Sequence, residues 1–385
     1  MTVFSKEDHL YMQRAISLAK RGHYTTSPNP RVGCVLVKNN QVIGEGFHQK
    51  AGYGHAEVNA LLACRQSKKS PQGATAYVTL EPCSHFGQTP PCANGFVEAG
   101  IKHVVIAMVD PNPKVSGKGI NMLEKAGITT STGLLETDAM ELNKGFISLM
   151  TTGRPYVRCK LAASLDGKTA MANGESKWIT SPEARKNVQK LRAQSCAVIS
   201  GADSVLTDDA KMNVRYQELG ELQKCFSEDQ LRQPTRVIID SKNRLTPDLA
   251  IFELESPIIL IRTKIKKITL WPHFVEQLQC PSIENEIGEE KVNLAELLVL
   301  LAKRGLNDVL IESGGQLAGA FIEQNLVNEL ILFQAPKLMG AEGKSLVQLP
   351  SITDLSSVKK LSINDIIMVG PDIRITATFN ITQSE

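Results

Sequence analysis

The sequence predicts two consecutive α/β domains in a chain of 385 residues. Length is the first observation, because a domain typically has about 100–200 residues and this chain has room for two. Second, strand-like runs alternate with amphipathic helical runs in both halves, which is typical of helices that cover a sheet. Third, no internal repeat relates the halves, so we expect two different folds.

The pattern of the first half predicts a helix, a β-hairpin and then alternating helices and strands. Residues 6–21 predict an amphipathic helix with Ser5 as its cap and Gly22 as its stop. Two β-rich runs around the Lys-Asn-Asn-Gln of residues 38–41 predict the hairpin. Further helices are expected at 55–64, 93–99 and 119–127, and strands at 74–80 and 103–109. The first domain is predicted to span residues 1–150.

The second domain is predicted to span residues 154–385, after the Gly-Arg-Pro of residues 153–155. A strand and a glycine turn open it, and a helix capped by Ser181 with Pro182 in its first turn follows. A strand is also expected to end at Val205-Leu206. The remaining expected elements are strands at 196–201, 235–241, 257–263 and 308–313, helices at 293–303 and from "GGQLAGAFIEQ", and the strands "ELILFQAP" and "DIRITATF".

Composition and charge are those of a soluble globular protein, with 42% hydrophobic residues, 22% charged residues and a net charge of +3. The densest basic cluster, "RTKIKK", is too short for a nucleic-acid-binding arm. The amino terminus lacks a signal-peptide pattern, and no apolar run approaches the roughly 18 residues of a membrane span. Eight cysteines in such a chain do not indicate a disulfide framework. We therefore expect a cytoplasmic protein that binds neither membranes nor nucleic acid.

A metal site is predicted where "GHAEVNAL" is followed by "LEPCSHFGQTPPC". His55, Cys83 and Cys92 offer one imidazole and two thiolates, which leaves the fourth position of tetrahedral zinc open. An open position is typical of catalytic zinc, which acidifies water. Glu57 lies on the same helix as His55 and is predicted to carry protons to a leaving nitrogen. Both helix starts direct a positive dipole end toward the metal, which favours the thiolates.

Other interpretations of these residues remain open at this point. In a closed structural zinc site His85, two residues after Cys83, is the fourth ligand, and Glu57 is merely exposed at a helix start. Asn29, His48 and His85 are weaker candidates for holding a pyrimidine. Each of them also suits a turn or surface position.

The spacing resembles that of the zinc deaminases of amino-pyrimidines and purines, except that eight residues rather than two separate the cysteines. The segments "TTSPNPRVGCVLV", "GHAEVNAL", "TLEPCSHFGQTPPC" and "DPNPKVSGKG" resemble the N-terminal half of the bacterial bifunctional riboflavin-biosynthesis deaminase/reductases. The segments "KLAASLDGKTA", "GESKWITSPEAR", "LRAQSCAVISGADSVLTDD", "IDSKNR" and "IESGGQLAGAFI" resemble their reductase half. The resemblance therefore covers nearly the whole chain.

The resemblance implies an N-terminal cytidine-deaminase-like α/β/α layered fold and a C-terminal dihydrofolate-reductase-like α/β fold. It implies zinc-dependent deamination of 2,5-diamino-6-ribosylamino-4(3H)-pyrimidinone 5′-phosphate, followed by NADPH-dependent reduction of the ribose to ribityl phosphate. The residues alone do not distinguish NADPH from NADH. A homodimer or higher homo-oligomer formed through the second half is a further expectation.

The resemblance also implies, residue by residue, which positions of the second half contact ligands. The cofactor is expected against Ala162, Trp178, Ser204, Asp208, Ser241, Gly314, Gly315, Gln316, Leu317, Ala318, Gly319 and Ala320. The pyrimidine ribose phosphate is expected against Ser176, Arg192, Met212, Arg215 and Glu312. Lys160, in an otherwise apolar strand, is a further candidate for contacting the sugar or its phosphate.

Elementary chemistry supports some of these positions better than others. A guanidinium fork fits a phosphate, which favours Arg192 and Arg215, although solvated surface arginines are the alternative. The glycine pair after a strand can present backbone N–H groups to a phosphate, although a tight strand–helix turn explains it equally well. Without the resemblance, Trp178 would be interpreted as core packing and Asp208 as a loop cap.

One position departs from the family pattern, which usually has Asp-Asp-Pro where this chain has Asp208-Asp209-Ala210. Because proline fixes φ and stiffens a loop, its loss is expected to loosen the placement of Asp208. We expect a modest effect on the reductase rather than an inactive domain.

Two other functions are weighed against this one. A nucleic-acid deaminase of the tRNA type with an appended domain needs a basic track and stacking aromatics, whereas aromatic residues make up 5% of the chain. A zinc-stabilised interaction module without enzymatic activity needs a fourth protein ligand. The sequence favours the bifunctional enzyme.

Overall fold

The computed structural model describes residues 3–84, 90–113, 115–266, 270–284 and 288–379. The chain divides into two compact units, Met1–Gly153 and Arg154–Glu385. Within the described ranges, no helix has both the length and the apolar character needed to cross a membrane. Each unit is described by itself below.

The first unit is a five-stranded sheet with helices on both faces. Its helices are α1 (Lys6–Arg21), α2 (Ala56–Gln66), α3 (Cys92–Glu98), α4 (Lys118–Lys125), α5 (Glu136–Leu142) and α6 (Lys144–Thr152). Its strands are β1 (Gly33–Lys38), β2 (Gln41–Phe47), β3 (Thr75–Leu80), β4 (His103–Met108) and β5 (Thr129–Thr132). The strand order is β2-β1-β3-β4-β5, in which β1 is antiparallel to both neighbours and β3, β4 and β5 are parallel.

The hairpin of β1 and β2 is packed between α1 and α2. Gly33 and Cys34 are consecutive on β1, so a side chain on each would point to opposite faces of the sheet. A Cβ on Gly33 would lie 1.9 Å from the carbonyl oxygen of Ala15 in α1. Gly46 is opposite Cys34, and a Cβ on it would lie 2.5 Å from the backbone nitrogen of Ala60 in α2. Both helices therefore approach the sheet more closely than a side chain would permit.

The predicted elements of the first half are present, and the structure adds three that were not predicted. The Ser5 hydroxyl accepts a hydrogen bond from the backbone N–H of Asp8, which confirms the predicted cap of α1. The additional elements are β5, α5 and α6. β5 has the sequence Thr-Thr-Ser-Thr at the sheet edge, and so it lacks the apolar alternation by which strands are predicted.

The second unit contains a nine-stranded sheet and two small two-stranded sheets. Its strands are β6 (Tyr156–Ser164), β7 (Lys168–Ala170), β8 (Ala197–Gly201), β9 (Thr235–Ile239), β10 (Ile258–Arg262), β11 (Val275–Gln279), β12 (Ser282–Glu284), β13 (Glu290–Val292), β14 (Asp308–Glu312), β15 (Glu329–Ala335), β16 (Lys344–Ser345), β17 (Leu361–Val369) and β18 (Asp372–Phe379). Its α-helices are α7 (Pro182–Gln194), α8 (Ala202–Asp208), α9 (Leu294–Lys303) and α10 (Gly315–Glu323).

The large sheet has the strand order β11-β10-β9-β8-β14-β6-β15-β18-β17. The first seven strands in this order, from β11 through β6 to β15, are parallel to one another. The last two, β18 and β17, are antiparallel and lie at one edge of the sheet. From β8 the chain proceeds outward to β11 and then returns to place β14 beside β6. In open parallel sheets, ligands bind at the carboxyl ends of the strands, at the point where the strand order reverses. The carboxyl ends of β8, β14 and β6 are therefore the expected location of a site.

Two apolar clusters cover the two faces of this sheet. Val309 and Ile311 of β14 belong to one cluster together with α9 and α10. Leu310, between them, belongs to the other cluster together with α7 and α8. Alternating residues point to opposite faces, and burial of both faces is typical of parallel sheets.

One prediction for the second half is wrong, and the structure adds strands that were not predicted, among them β11, β12, β13, β16 and β17. The strand expected to end at Val205-Leu206 is wrong, because both residues lie in α8. Val205 is buried and Leu206 is exposed. A buried residue next to an exposed one occurs in amphipathic helices as well as in strands with one buried face. Strand β17 was not predicted, because its apolar residues are largely exposed and do not alternate regularly with polar ones.

We expect Gly46→Ala to destabilise the first unit by about 1–3 kcal/mol, because the added methyl group collides with the backbone of α2. Urea unfolding of the intact chain measures this change. Gly95→Ala is the matched control, since its methyl group would meet Leu61 at an ordinary 3.7 Å and alanine favours the helix. Equal unfolding midpoints for the Gly46→Ala variant and the wild type would show that the close packing of α2 is not required.

Candidate functional site

Three potential metal ligands converge in the first unit. His55 is the residue that caps the start of α2, and Cys92 is the first residue of α3. Cys83 lies in the loop after β3. The ligand atoms of the three side chains all lie within 4.8 Å of one another. The helix starts predicted from the sequence therefore bring these residues together.

The geometry of these atoms fits tetrahedral zinc. His55 Nδ1 lies 3.6 Å from Cys83 Sγ and 3.3 Å from Cys92 Sγ. Zinc–sulfur and zinc–nitrogen bonds of ordinary length, at tetrahedral angles, separate nitrogen from sulfur by about 3.6 Å. One imidazole and two thiols are also the donor chemistry that zinc prefers. These residues thus fit a zinc ion with three protein ligands among the described residues.

The start of α3 interacts directly with a thiol of the site. The backbone N–H of Cys92 donates to Cys83 Sγ at 3.3 Å. Hydrogen bonding from the Cys92 thiol is the main reason that the pKa of Cys83 is lowered to about 4, and the nearby His55 lowers it further. A metal ligand must be deprotonated, so the Cys83 environment favours the form that binds.

Glu57 is buried beside these ligands. It lies in the first turn of α2 and is 4% exposed. Burial is the main reason that its pKa is raised to about 7, and the Cys83 thiolate adds to the effect. The alternative in which Glu57 is an exposed residue at a helix start is therefore wrong.

The weaker candidates of the first half have different outcomes. The ring of His48 is buried and meets the ring of His55 edge-on, with their centroids 5.4 Å apart. Asn29 Nδ2 lies 3.2 Å from His48 Nε2, and His48 Nδ1 lies 3.2 Å from the carbonyl oxygen of Gly54. The structure thus brings Asn29 and His48 to the ligand His55. His85 lies outside the described residues.

The site residues of the second half follow the carboxyl ends of the central strands. Ala162 lies near the end of β6, Ser204 and Asp208 lie on α8 after β8, and Ser241 lies just after β9. Glu312 is the last residue of β14, and Gly314 caps α10 immediately after it. The sheet edge that the strand order singles out therefore carries the residues expected to bind the cofactor.

Arg192, Glu312 and Lys160 form a charged cluster at this edge. Arg192 of α7 binds Glu312 with two hydrogen bonds, of 2.6 and 3.0 Å, and donates a third to the carbonyl oxygen of Asn213. Burial raises the pKa of Glu312, but the charge and hydrogen bonds of Arg192, together with the charges of Lys160 and Arg215, lower it below its ordinary value. Lys160 pairs in register with Glu312 on the adjacent strand, and burial lowers its pKa.

The two arginines of the second half differ in their surroundings. The Arg192 side chain is 13% exposed, so the interpretation as a solvated surface arginine is wrong for it. Its fork is directed at Glu312 rather than at open space. Arg215 is 46% exposed and pairs with Glu218 at 2.5 Å. Because the pair is open to solvent, a phosphate could replace Glu218 as the partner of Arg215 without burying a charge. Met212, three residues before Arg215, is buried in the apolar cluster that includes residues of α7 and α8.

Trp178 lies on the surface, so the interpretation as core packing is wrong. It is 65% exposed, and the Arg185 guanidinium stacks on its ring at 4.4 Å. Its carbonyl oxygen accepts a hydrogen bond from Lys337 Nζ. An exposed ring held by an arginine is available to a planar ligand. Ser176 lies two residues earlier and is partly buried.

The glycine-rich turn has more than one role. A Cβ on Gly315 would lie 2.8 Å from the carbonyl oxygen of Leu346, and one on Gly319 would lie 2.0 Å from that of Gln348. A Cβ on Gly314 would meet nothing within 4 Å. Close packing of α10 thus explains Gly315 and Gly319, whereas Gly314 leaves the start of the helix open to a ligand.

The loop that lacks the family's proline is held by other contacts. Asp209 accepts a hydrogen bond from the backbone N–H of Ala250 at 3.0 Å. The buried Arg236 donates to the carbonyl oxygen of Lys211 at 3.3 Å. Lys177 donates to the carbonyl oxygen of Asp208 at 3.3 Å. These bonds fix the backbone on both sides of Ala210.

Sequence reasoning did not identify Arg244. Its backbone N–H donates to the buried Asp240 at 2.9 Å, and its guanidinium pairs with Asp203 of α8 at 2.7 Å. Its ion pair thus links the segment after β9 to the start of α8, and the neighbours of its two partners, Ser241 and Ser204, are positions expected to contact the cofactor. The signal was the pair of basic residues that follows Ser241 in "IDSKNR".

Family models match both units. Residues 5–108 match the cytidine and deoxycytidylate deaminase zinc-binding region. Residues 155–375 match the RibD C-terminal domain. The predicted fold class is confirmed, with a cytidine-deaminase-like first unit and a reductase domain as the second.

Full-length relatives match the whole chain. The riboflavin biosynthesis protein RibD of Haemophilus influenzae is 48% identical over 98% of this chain and 99% of that protein. The solved structure of Acinetobacter baumannii RibD is 44% identical, with a TM-score of 0.86 over 97% of this chain and 99% of that one. A Thermotoga maritima diaminohydroxyphosphoribosylaminopyrimidine deaminase/5-amino-6-(5-phosphoribosylamino)uracil reductase is 33% identical, with a TM-score of 0.83 over 97% of this chain and 99% of that one.

We expect Cys92→Ala to abolish zinc retention, because two remaining protein ligands hold zinc weakly. Elemental analysis of the purified intact chain, after dialysis against a mild chelator, measures the metal. Cys225→Ala is the control, because that cysteine is exposed and belongs to the second unit. Full zinc retention by the Cys92→Ala chain would contradict the assignment of this ligand.

Proposed function

This chain belongs to the RibD family of bifunctional riboflavin-biosynthesis enzymes, and we propose a substrate, a cofactor and a set of residues for each of its two reactions. The first unit deaminates 2,5-diamino-6-ribosylamino-4(3H)-pyrimidinone 5′-phosphate. The second unit then reduces the ribose of the product to ribityl phosphate with NADPH. The observation that carries the deaminase assignment is the buried Glu57 beside three converging zinc ligands.

In the deaminase, His55, Cys83 and Cys92 hold the zinc ion. A bound zinc ion would act as a Lewis acid and lower the pKa of a water molecule. Glu57 takes a proton from the attacking water and delivers it to the leaving nitrogen. The ring carbon thereby gains an oxygen atom from water and loses ammonia. The buried position of Glu57 keeps its carboxyl group out of bulk water, so the proton passes within the site.

Asn29 and His48 orient the pyrimidine beside the metal ligands. Their polar atoms already lie within 3.2 Å of one another, and the His48 ring contacts that of His55. Asn59 fixes the loop that follows β2 and begins with His48, because its amide donates to the carbonyl oxygens of Phe47 and Gly54. Because both ring nitrogens of His48 are engaged, by Asn29 and by Gly54, His48 orients the Asn29 amide, which can present a donor and an acceptor to the edge of a heterocycle.

In the reductase, Lys160 and Glu312 contact the open-chain sugar, and Arg215 contacts its phosphate. A bound nicotinamide cofactor would supply the hydride to the carbonyl carbon of the opened sugar, and a proton from water would complete the hydroxyl group. Arg192 holds the Glu312 carboxylate with a bidentate pair and so fixes its orientation toward Lys160. Trp178 and the open start of α10 at Gly314 bound the cofactor on either side.

NADPH rather than NADH is the reductant, and the surroundings of Ser241 support this choice. Lys242 and Arg244 follow Ser241, and their side chains are 61% and 43% exposed. Cations at the end of β9 suit the 2′-phosphate of the adenosine ribose, whereas an acid there would favour the free hydroxyl. Asp203, which now pairs with Arg244, is itself 76% exposed and can turn into solvent.

Self-association through the second unit is also proposed. The edge strand β17 exposes five apolar side chains, which supports an interface with a second copy of the chain at this strand. They are Leu361, Ile363, Ile366, Ile367 and Met368. The alternative of a nucleic-acid deaminase is not favoured, because the full-length relatives are riboflavin-biosynthesis proteins.

We expect Glu57→Gln to lower ammonia release by about 10²–10⁴-fold, because the amide cannot accept and return the proton. Zinc content is expected to stay at the wild-type level, since Glu57 is not a ligand. Ammonia is measured enzymatically, with reduction of the deaminated substrate as the internal control for the second unit. A near-normal rate of ammonia release would contradict the role of Glu57.

We expect Arg244→Ala to raise the KM for NADPH by about tenfold or more while changing the KM for NADH much less, because a charge-assisted hydrogen bond to phosphate is lost. Steady-state reduction of the deaminated substrate measures both constants. Arg304→Ala is the matched control, since Arg304 is another surface arginine paired with an acid, Glu276, at 2.8 Å. Parallel changes for both cofactors would rule out contact with the 2′-phosphate.

A further inference from the structure

The segment "DPNPKVSGKG" has no role in the reactions described above, yet its backbone is bound to one buried side chain. Glu81 follows directly after β3 and is 3% exposed. One of its carboxylate oxygens accepts hydrogen bonds from the backbone N–H groups of Asp110 and Gly117, at 3.1 and 3.0 Å. The other accepts from those of Gly119 and Ile120, at 2.8 and 3.3 Å. A carboxylate has about four such acceptor positions, and here all four are occupied.

Glu81 supplies the cap that α4 does not have in its own sequence. The residue that precedes this helix is Gly117, which has no side chain to accept a hydrogen bond. The N–H groups in the first turn of a helix have no intrahelical partner and attract a negative charge. Glu81 meets both needs from a neighbouring strand. Asp110, after β4, and the start of α4 are thereby fixed to the end of β3.

The end of β3 is also where the metal site begins. Pro82 and the ligand Cys83 follow Glu81 directly in the chain. A Cβ on Gly119 would lie 2.0 Å from the carbonyl oxygen of Pro82, so the start of α4 rests against the backbone that leads to Cys83. Displacement of the Glu81 carboxylate is therefore expected to move both the start of α4 and the backbone of Cys83.

We propose that Glu81 is a positioning residue of the deaminase, which holds the Cys83 backbone in the geometry that retains zinc and holds the start of α4 beside it. It touches neither the metal nor the reacting atoms. The proposal rests on the assignment of Cys83 as a zinc ligand. It accounts for a carboxylate, rather than an apolar residue, at a buried position with four converging N–H groups.

The test compares Glu81→Gln with the wild type in the intact, zinc-loaded chain. The amide side chain turns an N–H₂ group toward two of the four backbone donors, which breaks those hydrogen bonds with almost no change in volume. We expect zinc transfer to a chromophoric chelator to be about tenfold faster, in line with other residues that support metal ligands. Amide hydrogen exchange in residues 115–120 is expected to accelerate, and kcat/KM for ammonia release to fall.

Two controls separate positioning from general damage. Glu98→Gln makes the same chemical change on an exposed side chain at the opposite end of α3 from Cys92, where it breaks none of the bonds of Glu81, and should leave zinc transfer and exchange unchanged. Reduction of deaminated substrate should stay within about twofold of wild type in every variant. If Glu81→Gln fails to fold, Gly119→Ala disturbs the same contact from the other side, through the carbonyl oxygen of Pro82.

Wild-type zinc transfer together with wild-type exchange in a folded Glu81→Gln chain would overturn the proposal. Equal acceleration of zinc transfer by Glu98→Gln would overturn it as well, because the effect would then not depend on the bonds of Glu81. Should the wild-type chain release no ammonia, the proposed deaminase function fails, while zinc transfer and amide exchange still decide the role of Glu81.

Discussion

The chemistry of the first unit depends on the convergence of two helix starts on one loop. His55 caps α2, Cys92 begins α3, and the N–H of Cys92 donates to the sulfur of Cys83 in the loop between β3 and α3. The N–H at the start of α3 supports a thiolate at Cys83, whereas the hydrogen bond to Cys83 and burial raise the pKa of the Cys92 thiol. The close approach of α2 to the hairpin, permitted at Gly46, sets where His55 and Glu57 lie. The positions of one proposed zinc ligand and of the proposed proton carrier thus follow from how one helix packs on a sheet.

The second unit builds its site under a different constraint, which is the burial of charge. Arg192, Glu312 and Lys160 come from three elements that meet at the carboxyl edge of the sheet. Each charge would be unfavourable alone, and the bidentate pair makes the cluster tolerable while it fixes the carboxylate. Charged side chains also fix the loop around Ala210. Asp209 accepts a hydrogen bond from the backbone of Ala250, and Arg236 donates one to the carbonyl oxygen of Lys211. Directed polar contacts therefore hold a site that the strands only bring near.

Much of the fold and of the first site could be predicted, because the signals are local. Ser5, Gly22 and Pro182 mark helix ends, and His55 and Cys92 lie at recognisable loop–helix junctions, with Cys83 in the loop after β3. Features that depend on distant parts of the chain could not be predicted in this way. The packing role of Gly319, the four donors around Glu81 and the pairing of Arg192 with Glu312 involve partners 29 to 120 residues away. The helix α8 was mistaken for a strand because its apolar pattern is too short to separate the two.

The central claim is that one chain carries both activities, with deamination first. The most direct measurement mixes the zinc-loaded chain with the diaminopyrimidinone ribose phosphate and NADPH, and follows ammonia and NADPH together. We expect equal amounts of ammonia released and NADPH oxidised, with ammonia appearing first. After removal of zinc, both should stop, and oxidation alone should return when deaminated substrate is added. Absence of NADPH oxidation even from deaminated substrate would contradict the account of the second unit.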